Sequence, residues 1–313
     1  MTTADARGID HPKLDPEVRQ LLEAGPAMPD LRSLTPAEFR AAPLLLATAP
    51  EAVDRIIQRS IPGKGGWIRL RIYWPEGAGP HPAMVYLHGG GWVGGSIDGA
   101  DRFCRGITNA ARVVVISVDY RLSPETKFPG ALDDTMAALL WTRDAAAELN
   151  IDRDRIGVGG TSAGGNLAAA AALLARDRSA LPIAFQLLIV PVLDRRCDSS
   201  SMREFAAGPI LTADAMRWFW EQYLERPDDG ASPYASVAEA SDLGALPPAF
   251  VVTAGCDPLC AEGEAYAERL RDAGVEVTAR RYDGMPHSFL GFATLDAAKR
   301  AMTEIGEAIR AHR

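Results

Sequence analysis

Val158-Gly159-Gly160-Thr161-Ser162-Ala163-Gly164-Gly165-Asn166-Leu167 carries the pattern G-x-S-x-G, and its flanks say what kind of turn it makes. Before it, Asp154 to Gly159 is a short apolar run that suits a buried strand; after it, Asn166 to Ala175 is rich in Ala and Leu, which favour helix. A serine squeezed between strand and helix by small residues sits on a tight turn with its hydroxyl projecting from the end of a sheet. The glycines leave room that side chains would take.

Outward from that turn, short and almost wholly apolar runs recur: Ala83 to Leu87, Arg112 to Val118, Arg155 to Val158, Phe185 to Val190, Phe250 to Thr253 and Val275 to Tyr282. Helical segments separate them. Gly130 to Glu148 places Leu132, Met136, Leu139 and Leu140 on one face, and a C-terminal helix repeats the device with Ala298, Ala301, Met302, Ile305 and Ile309. Strands buried on both faces and alternating with helices predict an α/β protein with a mostly parallel central sheet flanked by helices. Upstream, Val53 to Ile61 and Trp67 to Trp74, joined by Pro62-Gly63-Lys64-Gly65-Gly66, read as an antiparallel hairpin at the edge of that sheet.

A serine hydroxyl is a poor nucleophile near neutral pH and needs a base, itself oriented by a third group. Of five histidines, His11 and His312 lie near the ends, His81 lies in a Gly-Pro-His-Pro turn and His88 ends a strand. His287 follows the last strand, and in a parallel sheet such loops gather at the edge that carries the serine turn. It is therefore the expected base. Asp257, delivered by the strand Phe250 to Thr253, is the expected orienting carboxylate, with Asp194 after an earlier strand as second choice. The order Ser162, Asp257, His287 is that of the α/β-hydrolase arrangement. His88-Gly89-Gly90-Gly91-Trp92 leaves backbone N–H groups bare, so Gly89, Gly90 and Ala163 are the expected oxyanion donors and His88 a brace for the loop. Neither G-x-G-x-x-G nor a P-loop is present, which argues against a phosphate cradle.

The 313 residues suffice for one large domain with an added lid, and the formal charge of -8 without a Lys/Arg cluster argues against nucleic acid or an anionic membrane surface as partner. No apolar run is long enough to span a bilayer, and Met1 to Asp30 lacks the apolar core of a signal peptide. Cys104, Cys197, Cys256 and Cys260 are too scattered for a disulfide framework, so a cytoplasmic setting is expected. Cys256 and Cys260 stand as C-x3-C with no further ligand cluster, so no metal or other cofactor is expected.

Two helical pieces stand outside the alternation. Residues 1 to 50 read as amphipathic helices, with Pro16 opening one over Glu17 to Ala24, Thr35-Pro36 starting another, and a Pro26 to Pro29 break between them. Leu211 to Leu224 reads as one helix capped by Thr212, with aromatics at nearly every angle and hence burial on several sides. Together these pieces are expected to form a cap over the mouth where Ser162 emerges. Trp92, Phe205, Ile210, Trp218 and Phe289 are the expected pocket walls.

His88 to Trp92, Asp119-Tyr120-Arg121-Leu122-Ser123-Pro124-Glu125, Gly160 to Gly165, Asp257-Pro258-Leu259 and Pro286-His287-Ser288-Phe289 together resemble the hormone-sensitive-lipase family of bacterial esterases, in the α/β-hydrolase superfamily. The likeness covers roughly residues 50 to 313. It implies a carboxylesterase for small short-chain acyl esters, with Ser162, Asp257 and His287 as triad and Gly89, Gly90 and Ala163 as oxyanion hole. It also implies four segments: 1–50 as N-terminal helical cap, 51–197 as the first part of the catalytic core, 198–234 as inserted cap and 235–313 as the second part of the core. Thr161 stands where many members carry Asp, resembling the subgroup whose turn reads G-T-S-A-G-G, and Cys260-Ala261 replaces the frequent Arg-Asp, which questions the support of the acid loop. Ser123 stands for a usual Ala. Members of such families often pair as homodimers, but no exposed apolar patch can be identified from the sequence to decide it. The rival readings are a hydrolase-fold ligand-binding protein without turnover, and the same triad acting on amides, carbamates or lactones.

Overall fold

The computed structural model describes residues 8–25, 31–41, 49–178 and 181–311. The remaining parts of the first fifty residues, including the Pro26 to Pro29 break, lie outside the described residues. Eight strands form one sheet, in the order β1-β2-β4-β3-β5-β6-β7-β8: β1 (Arg55–Gly63), β2 (Gly66–Trp74), β3 (His81–Leu87), β4 (Val114–Asp119), β5 (Ile151–Thr161), β6 (Gln186–Ile189), β7 (Ala249–Cys256) and β8 (Val277–Pro286). The helices are α1 (Pro16–Ala24), α2 (Pro36–Ala41), α3 (Asp101–Ala111), α4 (Gly130–Asp144), α5 (Ala146–Leu149), α6 (Ala163–Asp177), α7 (Ser200–Glu204), α8 (Ala213–Tyr223), α9 (Cys260–Asp272) and α10 (Asp296–Ala311).

The sheet follows from the two kinds of strand. The β1–β2 hairpin is antiparallel and sits at one edge, β2 runs antiparallel to β4, and every pairing from β4 through β8 is parallel. Every residue of β6 and β7 is buried. Alternate residues then serve two cores. Val85, Leu87, Ile116, Val118, Val158 and Val251 meet Leu132 and Leu139 of α4, Leu167 of α6 and Leu270 of α9. Met84, Tyr86, Val115, Leu187, Val252 and Ala254 meet Ile107 of α3 and Ala301 and Ile305 of α10. The helices α3 and α10 touch closely, since a Cβ on Gly306 would lie 2.6 Å from the Ala110 backbone.

Several expected boundaries shift. The helix expected over Gly130 to Glu148 ends at Asp144, and α5 then closes on Asn150 in the left-handed region (φ 53). Leu140 does not share the inward face, for it is 42% exposed while Leu132 and Leu139 are buried. At about 100° per residue, adjacent Leu139 and Leu140 cannot both point inward. The strand expected from Arg112 begins at Val114 because Arg112 is itself left-handed, β5 extends in both directions to Ile151 and Thr161, and β8 runs on to Pro286.

The described parts of both helical pieces touch loops that follow strands: Arg40 reaches the Val93 carbonyl after β3, and Ser201 the Pro258 carbonyl after β7. Asp15 caps α1 by accepting the Glu17 N–H (2.8 Å), and its own N–H reaches the Gly284 carbonyl (3.1 Å) of β8. Thr35 and Glu38 form a reciprocal capping box on α2, with Thr35 N–H to Glu38 Oε2 at 2.8 Å and Glu38 N–H to Thr35 Oγ1 at 3.3 Å. Thr212 caps α8 through the Ala215 N–H (3.0 Å), and Met216, Trp218, Phe219, Trp220 and Tyr223 are all buried. Phe39 of α2 packs edge-on against Phe219 and Trp218 of α8, with centroids at 5.4 and 6.1 Å. Among the described residues, no helix is long and apolar enough to cross a membrane.

Candidate active site

The turn between β5 and α6 holds Ser162 at φ 58 and ψ -116, a backbone region that costs a non-glycine residue about 1–3 kcal/mol and persists only where surroundings enforce it. Here they do. The Ser162 N–H donates to the Ile189 carbonyl (2.8 Å), and its carbonyl accepts from Asn166 (3.0 Å) and Val192 (3.2 Å). A Cβ on Gly160 would lie 2.2 Å from the Gly164 carbonyl oxygen, and one on Gly164 would lie 2.0 Å from that of Leu87, so the flanking glycines are required by space.

Three parallel strands deliver the partners. His287, just past β8, brings Nε2 to 3.0 Å from Ser162 Oγ and Nδ1 to 2.8 Å from Asp257 Oδ2, just past β7. A carboxylate only accepts, so the Nδ1 proton points to Asp257 and Nε2 faces the serine hydroxyl as acceptor. The Asp257 side chain is fully buried and its second oxygen takes the Leu259 N–H at 3.0 Å. Asp194 does not join this group: its carboxylate grips the Arg196 guanidinium (2.6 and 3.0 Å) and the Arg196 N–H (2.9 Å). Asp283 pairs with Arg281 at 2.7 Å.

Gly89 abuts the nucleophile turn, for a Cβ there would lie 3.1 Å from the Thr161 carbonyl oxygen and 3.6 Å from Ser162 Cβ. Among the described residues, no acceptor takes the N–H of Gly89, Gly90 or Ala163. His88 braces this loop as expected. Its ring stacks on Tyr120 at 4.2 Å and its Nδ1 meets the Gly89 carbonyl at 2.9 Å, while Tyr120 Oη donates to the His88 carbonyl at 2.8 Å. Burial lowers the His88 pKa, which favours the neutral ring, and the Gly89 carbonyl, which only accepts, draws the ring proton to Nδ1.

The expected pocket walls divide into two groups. Trp92 stacks face to face on Tyr223 (4.1 Å, 3°), and Trp218 joins the Phe39 and Phe219 cluster. Phe205 lies in the other core with its ring 4.6 Å from His11, and Phe289 is fully buried there beside Tyr282 at 5.1 Å. Ile210 is half-buried.

Several supporting contacts are not evident from the sequence. The Thr161 hydroxyl pairs with Tyr86 Oη at 2.8 Å. The acid turn, where Cys260-Ala261 replaces the usual pair, is held by Ser201 of α7, whose hydroxyl donates to the Pro258 carbonyl (2.6 Å) and accepts from the Ala261 N–H (2.9 Å). Glu262 accepts the N–H groups of Leu193 (2.6 Å) and Asp194 (3.3 Å). Arg40 of α2 donates to the carbonyls of Val93 and Ser123, each at 2.7 Å, and pairs with Glu125, whose pKa that contact lowers to about 2. Of these, Thr161 carries a signal as the residue before the nucleophile, and Glu262 as the family residue kept after Cys260-Ala261. Burial pushes the Cys256 and Cys260 thiols up to about 11 and about 12, so both stay protonated near neutral pH.

A serine, a histidine and an aspartate in line at the C-terminal edge of a parallel sheet, with bare N–H groups beside the serine, are the arrangement of a serine hydrolase on an α/β scaffold. Residues 84–291 match a family model described as alpha/beta hydrolase fold, and the chain belongs to that family, on its hormone-sensitive-lipase-like branch. Carboxylesterase NlhH of Mycobacterium tuberculosis is 38% identical over 310 residues, covering 95% of each chain. Ethyl acetate hydrolase of Pseudomonas putida is 35% identical over 281 residues, covering 88% of each. The solved ester-hydrolase EH1AB1 from the metagenome of Lake Arreo, complexed with a bipyridine phosphonate derivative, has a TM-score of 0.89 at 39% identity, covering 96% of this chain and 99% of its own.

Proposed function

We propose that this protein is a carboxylesterase that hydrolyses short-chain acyl esters through an acyl-enzyme. The observation that carries the reading is the unbroken line from Asp257 through His287 to Ser162, at 2.8 and 3.0 Å, with the N–H groups of Gly89, Gly90 and Ala163 unclaimed among the described residues. Ser162 attacks the ester carbonyl while His287 Nε2 takes its proton. The oxyanion settles on the three N–H groups, each worth about 3 kcal/mol in the transition state. His287 then protonates the departing alcohol. Water, deprotonated by the same nitrogen, releases the acid and restores Ser162.

The printed activities of the relatives, a carboxylesterase and an ethyl acetate hydrolase, support small esters as the substrate class. Four cysteines, each buried and unpaired, support a cytoplasmic setting, and the outer edge of β8 at the end of the sheet supports a homodimer, which sedimentation would test. The 1–50 and 198–234 segments serve as the cap over the mouth of the site, a division supported by the packing of Phe39 on Phe219.

The test is turnover of p-nitrophenyl acetate and its longer homologues by the wild type and by Ser162→Ala, with a matched anilide as comparison. Turnover highest on the short esters, weak on the anilide and lost in the variant is expected. An active alanine variant would overturn the reading.

A further inference from the structure

The loop that carries the oxyanion glycines takes an unusual backbone path that is braced from outside as well as from within. Gly90 (φ 121), Gly91 (φ 60) and Trp92 (φ 60) follow one another at positive φ, and Trp92 is not a glycine. Hydrogen bonds from Val93 (3.1 Å) and Gly94 (2.8 Å) to the Gly90 carbonyl tie Trp92 and its neighbours to the Gly90–Gly91 peptide, the unit next to the one that carries the Gly90 N–H. The Trp92 carbonyl accepts the Ser123 N–H at 2.8 Å, and what fixes its ring comes from the inserted helical segment. Its ring lies flat on that of Tyr223, 4.1 Å away and 3° from parallel, with Trp220 at 4.6 Å on the same helix. One turn earlier, Phe219 fills the space that a Cβ on Gly91 would need, at 2.1 Å.

The helix that presents these rings is itself bolted to the core. Lys127 Nζ donates to the carbonyls of Glu221 (3.2 Å), Gln222 (2.9 Å) and Leu224 (3.0 Å), and the Phe128 N–H reaches the Tyr223 carbonyl at 2.8 Å. Tyr223 is fully buried, and its hydroxyl has no hydrogen-bond partner among the described residues. Its ring face, rather than its oxygen, is therefore what the fold uses.

We propose that Tyr223 is a positioning residue for the oxyanion hole: its ring clamps Trp92 and so sets the direction of the Gly89 and Gly90 N–H groups. The proposal rests on the reading of those groups as oxyanion donors. Misplacing a preorganised donor by a fraction of an ångström weakens the transition state and leaves ground-state binding nearly intact.

The experiment compares Tyr223→Phe, Tyr223→Leu and Tyr223→Met, the last retaining bulk without a planar ring, with folding verified by circular dichroism and thermal midpoint. Each variant is assayed on p-nitrophenyl acetate and on the matching thionoester, whose developing charge falls on sulfur, a weak hydrogen-bond acceptor. The expected result is a kcat lower by roughly 10- to 100-fold in whichever of the Leu and Met variants folds. KM should stay within about threefold, the ester-to-thionoester ratio should fall, and the Phe variant should behave as the wild type. A folded Leu or Met variant with wild-type kcat and ratio, or a Phe variant as impaired as Leu, would overturn the role of Tyr223. A wild-type protein that does not prefer the ester would overturn the oxyanion reading itself, and the two failures are thereby told apart.

Discussion

Ser201 and Pro258 are joined by a 2.6 Å hydrogen bond from the serine hydroxyl to the proline carbonyl, and the same hydroxyl takes the Ala261 N–H at 2.9 Å. One side chain of α7 thus spans the turn that carries Asp257. Ser201→Ala leaves a buried carbonyl and a part-buried N–H unpaired at a cost of about 1–3 kcal/mol. The expected outcome is a lower urea midpoint together with a kcat reduced by roughly threefold to tenfold. Unchanged stability would mean that water replaces the hydroxyl without loss.

Asp257 holds the His287 ring in the orientation and tautomer that face Ser162, since its Oδ2 meets Nδ1 at 2.8 Å. Asp257→Asn keeps the shape, but its amide NH₂ can donate to Nδ1 and move the ring proton to Nε2, where the ring no longer accepts from serine. A fall in kcat of about 10⁴ on p-nitrophenyl acetate is expected, with the fold intact. Asp194→Asn, which alters only the grip on Arg196, should change kcat by less than about tenfold.

Ser162 and His287 were legible because their signals are local: a glycine-flanked serine between strand and helix, and a histidine directly after the last parallel strand. Asp257 and Asp194 both follow parallel strands, so sequence alone ranked them without separating them. What separates them is Arg196, two residues beyond Asp194, which occupies that carboxylate. Ser201, Arg40 and Tyr223 were not legible, because each acts on a backbone segment far along the chain and has no pattern of its own. Leu140 was placed on the wrong face by reading a helical stripe one residue too broadly.

Thr161 stands beside the nucleophile, and its hydroxyl pairs with that of Tyr86 at 2.8 Å in the interior. Thr161→Val strands the Tyr86 hydroxyl and should cost about 1–3 kcal/mol, and Tyr86→Phe should cost a similar amount. The double variant removes both polar groups and should recover most of the loss, so the two single costs do not add. Urea denaturation of the three variants measures the coupling. Simple additivity would show that the pair contributes nothing through its hydrogen bond.

Glu262 is a buried acid whose carboxylate end accepts the Leu193 and Asp194 N–H groups while Oε2 has no partner among the described residues. Burial raises its pKa well above the ordinary 4.5; the two N–H groups pull it down, and the charges of Asp194 and Asp257 add to the rise. The sign follows from proton counting. An acid with a raised folded value binds more protons folded than unfolded between the two values, so its contribution to stability is full below the unfolded pKa and is lost as pH rises toward the folded one. Glu262→Gln keeps an acceptor for both N–H groups and does not titrate. Above the ordinary value of 4.5, the stability of the wild type relative to Glu262→Gln should therefore fall as pH rises toward the raised folded value. Urea midpoints of both proteins across that range provide the measurement, and a constant difference would show that Glu262 titrates as it does in the unfolded chain.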